Sequence, residues 1–259
     1  NASGSCFTSA IEDSLKWCVD NSAQFNISVI SMSFGTTSLF SSYCDSDPAF
    51  EDWAKQVNAA AEKNISVVAA AGNDASISGI ASPACIKNIT SVGATTKADA
   101  IASFTNRNNI TDLLAPGSGI NSTYSSGYAT LSGTSMSVPH VSGAFALLRS
   151  YMKLQGKNLS NVEIESKLKS SGVIIPDPSS GLNFSRISLY DAAIVLDDIL
   201  PILNIITPQN GTQITKIYVV INLSSNEPLS SAILEWNSLA PNETQNESMQ
   251  NLGNLWSIN

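Results

Sequence analysis

The hydrophobic pattern of the chain changes period several times, and each change predicts an element. From Thr8 to Asn21, Ile11, Leu15, Cys18 and Val19 recur at helical spacing, with Thr8 as cap and Glu12 in the first turn, so a helix is expected. Ile27 to Met32 is a β-branched run between Asn26 and Gly35, the pattern of a buried strand in a parallel sheet. Asp47 and Pro48 form a cap and first-turn pair ahead of Phe50, Trp53, Val57 and Ala61, which share one face of a second helix. Ile65 to Ala71, ending at Gly72, and the shorter Ile89 to Val92 are further apolar strands, and the order strand, helix, strand predicts a right-handed βαβ unit.

Val141 to Leu148 is apolar nearly all round, which predicts a helix buried in the core and entered at Thr134 or Ser135. Ser160 and Glu163 make a capping box that opens a surface helix through Lys169. The texture changes at Pro201. Beyond it, alternating runs at Ile217 to Leu223 and Ala232 to Trp236 are separated by turn residues at Pro208 to Gly211 and Asn226 to Pro228, while the polar stretch Asn242 to Asn251 reads as a loop. The expected fold class is α/β, a parallel sheet with flanking helices over residues 1–200. A partial all-β, immunoglobulin-like segment, the start of a small β-sandwich, is expected over residues 201–259.

Composition narrows the partners. At 259 residues and 43% hydrophobic content the chain can bury a sizeable core. A net charge of -8, with 13 Lys and Arg and no basic run, gives no footprint for nucleic acid or an anionic membrane. No membrane span is expected, because the best apolar stretch, Ala192 to Ile206, is broken by Asp197, Asp198 and Pro201. The four cysteines contain no CxxC pair, which suits disulfides better than zinc and leaves reduced thiols as the alternative. Cys44 and Cys85 lie on loops flanking the same strands and are the expected pair; Cys6 and Cys18 straddle a helix and are too far apart. Asn-x-Ser/Thr sequons occur at Asn1, Asn26, Asn64, Asn88, Asn109, Asn121, Asn158, Asn183, Asn210, Asn222, Asn242 and Asn246, against about five expected from composition. This excess points to a secreted or cell-surface glycoprotein.

The chemistry concentrates in Ser132-Gly133-Thr134-Ser135-Met136 and the following Ser137-Val138-Pro139-His140-Val141-Ser142-Gly143. One serine follows a glycine turn at the mouth of an apolar helix, where unpaired amides and the positive dipole end favour a developing anion. The segment resembles the nucleophile motif of the subtilisin family, which implies Ser135 as the nucleophile of a serine endopeptidase and Gly133, Pro139 and Gly143 as structural positions. Ala69-Ala70-Ala71-Gly72-Asn73 resembles the family's oxyanion segment and implies that Asn73 donates its side-chain amide. Ile30-Ser31-Met32-Ser33-Phe34-Gly35 is similar to the family strand that pairs with the substrate backbone. Ser33, Phe34 and Gly35, with Ala71 and Gly72 opposite, would then border the first specificity pocket of a polypeptide substrate. Weaker similarities occur at Ser91-Val92-Gly93-Ala94, Ile101 to Arg107 and Leu114-Ala115-Pro116-Gly117, so that the resemblance covers about Ala10 to Ser171.

A serine hydroxyl needs a base, and the chain contains a single histidine, His140. Five residues beyond Ser135 on the same helix it turns away from the nucleophile, and it reads as a structural core histidine. Subtilisins place Asp, then His, before Ser. Both are therefore expected upstream of Asn1, with this chain a fragment that is nearly inert in isolation. Two alternatives stay open: a sedolisin-type peptidase with a Glu base, and a noncatalytic secreted binding or adhesion protein on a degenerate subtilase fold. No cofactor is expected. The family resemblance admits calcium, but no cluster has ligand spacing, so no metal-binding residue is assigned.

Overall fold

The structure, a computed structural model, describes residues 7–196 and, beyond them, the strands at 203–207, 221–225, 233–237, 244–248, 250–251 and 255–258. The chain divides into two compact units, Asn1–Asp197 and Asp198–Asn259.

The first unit opens with α1 (Thr8–Asp20) and the single turn α2 (Ser22–Phe25), followed by β1 (Val29–Met32) and the short β2 (Leu39–Phe40). Helix α3 (Glu51–Glu62) leads to β3 (Ser66–Ala70), the short β4 (Ile80–Ala81), β5 (Thr90–Thr95) and β6 (Leu113–Pro116). A hairpin of β7 (Ile120–Tyr124) and β8 (Gly127–Leu131) precedes the long α4 (Thr134–Leu154). Helix α5 (Asn161–Ser171), β9 (Val173–Asp177), β10 (Leu182–Arg186) and α6 (Leu189–Leu196) close the unit. The main sheet runs β1-β3-β5-β6-β10-β9, parallel from β1 through β10 with β9 antiparallel at one edge.

Strand periodicity explains the layers. On β3 and just beyond, Val67, Ala69 and Ala71 face one core with Trp53, Val57 and Leu15, whereas Val68 and Ala70 face a second with Val141, Phe145 and Leu148. The sheet is thus covered on both faces, which is why β3 and β5 are buried along their whole length and why β3 reads as a nearly continuous apolar run rather than an alternating one.

Several sequence expectations shift. Helix α1 starts at Thr8 itself, with Phe7 in the cap position and no side-chain cap. The Asp47 side chain accepts from the Ala49 amide, and its carbonyl from Phe50 and Glu51, so it organises a turn before α3, whose own cap position is Phe50. The third strand extends to Thr95. Helix α4 is buried along one stripe, Val138, Val141, Ala144, Phe145, Leu148 and Met152, while Leu147 is 58% exposed, so it is not buried all round. The capping box holds: Ser160 Oγ accepts from the Glu163 amide and Glu163 accepts from the Ser160 amide. Cys44 and Cys85 are disulfide-bonded with Cα atoms 5.4 Å apart. Cys18 carries a free thiol, and Cys6 lies outside the described residues.

In the second unit β11 (Leu203–Thr207), β12 (Ile221–Ser225), β13 (Ile233–Asn237), β14 (Thr244–Ser248), β15 (Gln250–Asn251) and β16 (Leu255–Ile258) form antiparallel pairs. The polar stretch expected as a loop contains β14, paired with β13 from Thr244 opposite Asn237 to Ser248 opposite Ile233. A backbone ladder needs no apolar side chains, and so hydropathy could not register it. The turn signals at Pro208 to Gly211 and Asn226 to Pro228 lie outside the described residues.

Candidate active site

Ser135 is the second residue of α4, which begins after Gly133 where the chain leaves β8. The parallel strands β1 and β3 deliver residues 33–35 and 71–73 at their carboxyl ends, the usual place for sites in open α/β sheets. Gly72 has φ +106°, a left-handed conformation that a side chain would strain, and a Cβ there would collide with the Asn106 carboxamide. Glycine therefore lets the chain turn sharply out of β3 and presents Asn73 at the surface.

The Asn73 carboxamide oxygen accepts from the Thr134 amide at 2.9 Å and from Thr134 Oγ1 at 3.1 Å. Since Thr134 N–H can only donate, the oxygen must face it, and the Asn73 Nδ2 group keeps no acceptor among the described residues. Thr134 Oγ1 also accepts from the Gly72 amide at 3.3 Å. Helix geometry leaves the first amides of α4 without intrahelical acceptors. Thr134 meets Asn73 and Met136 meets the Gly133 carbonyl at 3.0 Å, but the Ser135 amide has no acceptor among the described residues. Two donors, Asn73 Nδ2 and Ser135 N–H, thus stand unengaged at the positive end of a 21-residue helix.

Ser135 Oγ donates to the Ser33 carbonyl at 3.0 Å, and Ser33 Oγ donates to the Ser135 carbonyl at 2.8 Å. This reciprocal pair joins the end of β1 to the start of α4. A carbonyl holds the hydroxyl proton without removing it, so this contact orients the serine and does not activate it.

Ser135 also lines an open cleft of about 590 Å³ with the β7–β8 hairpin, Met136, Pro139 and His140. His140 is exposed, not a core residue as its sequence context suggested; its Nδ1 meets the Met136 carbonyl at 2.8 Å, one helical turn back, and it makes no bond to Ser135. Pro139, inside α4, is likewise exposed. Of the other expected residues, Ser33, Phe34 and Gly35 are exposed, but Phe34 borders a separate 280 Å³ apolar cavity beneath α1. Ala71 is fully buried, its amide donating to Val92 and its carbonyl accepting from Ala81. Sequence reading missed Thr134, which engages both Gly72 and Asn73, and Asn106, which lies in the weak similarity at Ile101 to Arg107. Among the described residues no group of three or more His, Cys, Asp or Glu could hold a metal ion, and no helix is long and apolar enough to cross a membrane.

The Peptidase_S8 subtilase family matches residues 1–184. The chain belongs to the subtilase family. It is 37% identical over 190 residues to the thermophilic serine proteinase of Bacillus sp. (strain AK1), covering 73% of this chain and 42% of that protein. It is also 37% identical over 171 residues to subtilisin Savinase of Lederbergia lenta, covering 66% and 56%. Among solved structures, a cold adapted subtilisin-like serine proteinase aligns with TM-score 0.58 and 32% identity, covering 71% of this chain and 62% of that one. The chain thus spans about half the length, or less, of these two curated subtilase relatives.

Proposed function

We propose that the protein carrying this chain is a serine endopeptidase that hydrolyses polypeptides through an acyl-enzyme on Ser135. The observation that carries this reading is the pair of unengaged donors, Asn73 Nδ2 and Ser135 N–H, beside a surface hydroxyl at a helix N-terminus. Attack by Ser135 Oγ on a peptide carbonyl would convert that carbonyl to an oxyanion, and donors already oriented toward it lower the barrier without reorganising. Ser33, Phe34, Gly35 and Gly72 are assigned to the borders of the substrate channel, and the fully buried Ala71 to the support behind Gly72. The general base and its carboxylate partner, a His and an Asp, are assigned to protein outside these 259 residues, in keeping with the greater length of the relatives. The strands beyond residue 200 are read as the start of a β-sandwich extension to a peptidase domain over residues 1–200.

An extracellular setting fits the Cys44–Cys85 disulfide, the sequon excess and a 39% identical relative, the extracellular protease of Xanthomonas campestris. The test is casein hydrolysis by the intact protein and its Ser135→Ala variant. Activity should fall by roughly a millionfold, the loss known for the nucleophile of subtilisin, a relative, and taken from it. Undiminished hydrolysis would refute the reading. An intact protein without hydrolytic activity would favour a noncatalytic binding role.

A further inference from the structure

Asn73 stands at the exposed end of a loop, residues 72–76, whose course is set from beneath by a side chain that never reaches the cleft. Asn106 is fully buried. Its amide donates to the Gly72 carbonyl at 3.0 Å, and its Oδ1 accepts from the amides of Asp74 at 2.8 Å and Ser76 at 3.0 Å. Its Nδ2 donates to the Asp74 carboxylate at 2.9 Å. The residues immediately before and after Asn73 are therefore both tied to one buried residue, which fixes the direction in which the Asn73 side chain leaves the backbone. Flanking residues extend the clamp: Arg107 N–H donates to the Ser76 carbonyl at 2.8 Å and Ala75 N–H to the Phe104 carbonyl at 2.9 Å. Ala75 is held at φ +58°, a conformation that a non-glycine residue keeps only when its surroundings over-determine it. Arg107 is anchored in turn, donating Nε to Asp177 Oδ2 at 2.6 Å and an Nη to Asp177 Oδ1 at 3.1 Å, both side chains being buried.

We infer that Asn106 is a positioning residue for the oxyanion donor, acting through Asn73 by fixing the two backbone neighbours of that residue. The inference rests on the reading of Asn73 as the donor. Displacing such a group by about 1 Å is enough to cost on the order of a hundredfold in rate. Thr134 grips the carboxamide oxygen from one side and Asn106 grips the backbone from the other, leaving Nδ2 a single direction.

The test is a double-mutant cycle on kcat in the intact protein with Asn73→Ala, Asn106→Ala and both together. Asn106→Ala alone should lower kcat about 10- to 100-fold with KM within about twofold, and should add less than about threefold in the Asn73→Ala background. An equal loss in both backgrounds would mean that Asn106 acts on the fold at large and overturns the inference, while Asn73 keeps its role. If Asn73→Ala leaves kcat unchanged, the donor assignment and this inference fall together. Because Asn106→Ala can fail to fold, a second pair keeps the idea exposed. Asn106→Asp sets two carboxylates together and should be slow, and adding Asp74→Asn restores the bond with donor and acceptor exchanged and should recover kcat. Amide hydrogen exchange at Asp74 and Ser76, readable without any activity, should quicken in the single variant and return in the pair. Exchange unchanged by Asn106→Asp overturns the inference.

Discussion

The two ends of α4 handle polar groups in opposite ways. At its start, Ser135 N–H and Asn73 Nδ2 have no acceptor among the described residues, while other contacts hold Asn73 Oδ1 and Ser135 Oγ in place. Toward its other end, Arg149 donates to the Asn64 carbonyl at 2.6 Å, to Ser66 Oγ at 3.0 Å and to Asn161 Oδ1 at 2.7 Å. Asn64 and Asn161 complete that network: the Asn161 amide donates to Asn64 Oδ1, Asn161 Nδ2 to the Ile65 carbonyl and Asn64 Nδ2 to the Leu159 carbonyl. Arg149 Nε has no hydrogen-bond partner among the described residues. A region whose polar groups are engaged holds the fold together. One that keeps oriented donors in reserve, at some cost in stability, is suited to a ligand that brings its own acceptor.

The contrast can be broken most forcefully at the saturated end. Arg149→Ala should cost roughly 3 to 5 kcal/mol, because three acceptors lose a charged donor in a half-buried setting, and urea unfolding of this chain reads it. At the other end, Asn73→Ala in the intact protein should cost only about 1 to 2 kcal/mol, from the Thr134 donors left without their acceptor, yet lower kcat about 10²- to 10³-fold, the loss known for the oxyanion donor of subtilisin, a relative. A stability loss at Asn73 as large as at Arg149 would erase the distinction.

Asp177→Asn should destabilise by about 3 kcal/mol by leaving buried Arg107 without its charge partner. The Arg107 guanidinium holds the Asp177 carboxyl down at about 2, against an ordinary value near 3.8. A depressed folded value means that this contribution is full above the unfolded value and is lost as the pH falls from about 4 toward 2. Acid unfolding of the parent should therefore steepen in that window, and the Asn variant should lack that component. The smallest effect is at Ser160, next to the Asn161 node: Ser160→Ala removes one half of the capping box and should cost about 1 kcal/mol, with no change in the Asn73 loop.

Local pattern made much of the fold legible. The strand runs at Ile27 to Met32 and Ile65 to Ala71, the helix periodicities and the Ser160–Glu163 box depend on neighbours in sequence, and all formed within a few residues of where they were expected. Helix starts were less legible, since Phe7 and Phe50 occupy the cap positions without side-chain caps. Ser135 was singled out because the residues around it resemble the subtilisin nucleophile motif, which is contiguous in sequence.

What the sequence by itself determined, then, is the layered α/β arrangement; it offered Cys44–Cys85 as the expected pair beside reduced thiols, and through the family resemblance it named the residues that meet at the mouth of α4. The tertiary structure alone decided that Asn73 turns its oxygen to Thr134 and its amide outward, that His140 faces solvent, and that Asn106 lies under the Asn73 loop across 32 residues of intervening chain. Those facts depend on which of many competing donors and acceptors come together once the sheet is covered on both faces. Hydrogen-bond choice among distant groups is a property of the folded geometry, and no local periodicity encodes it.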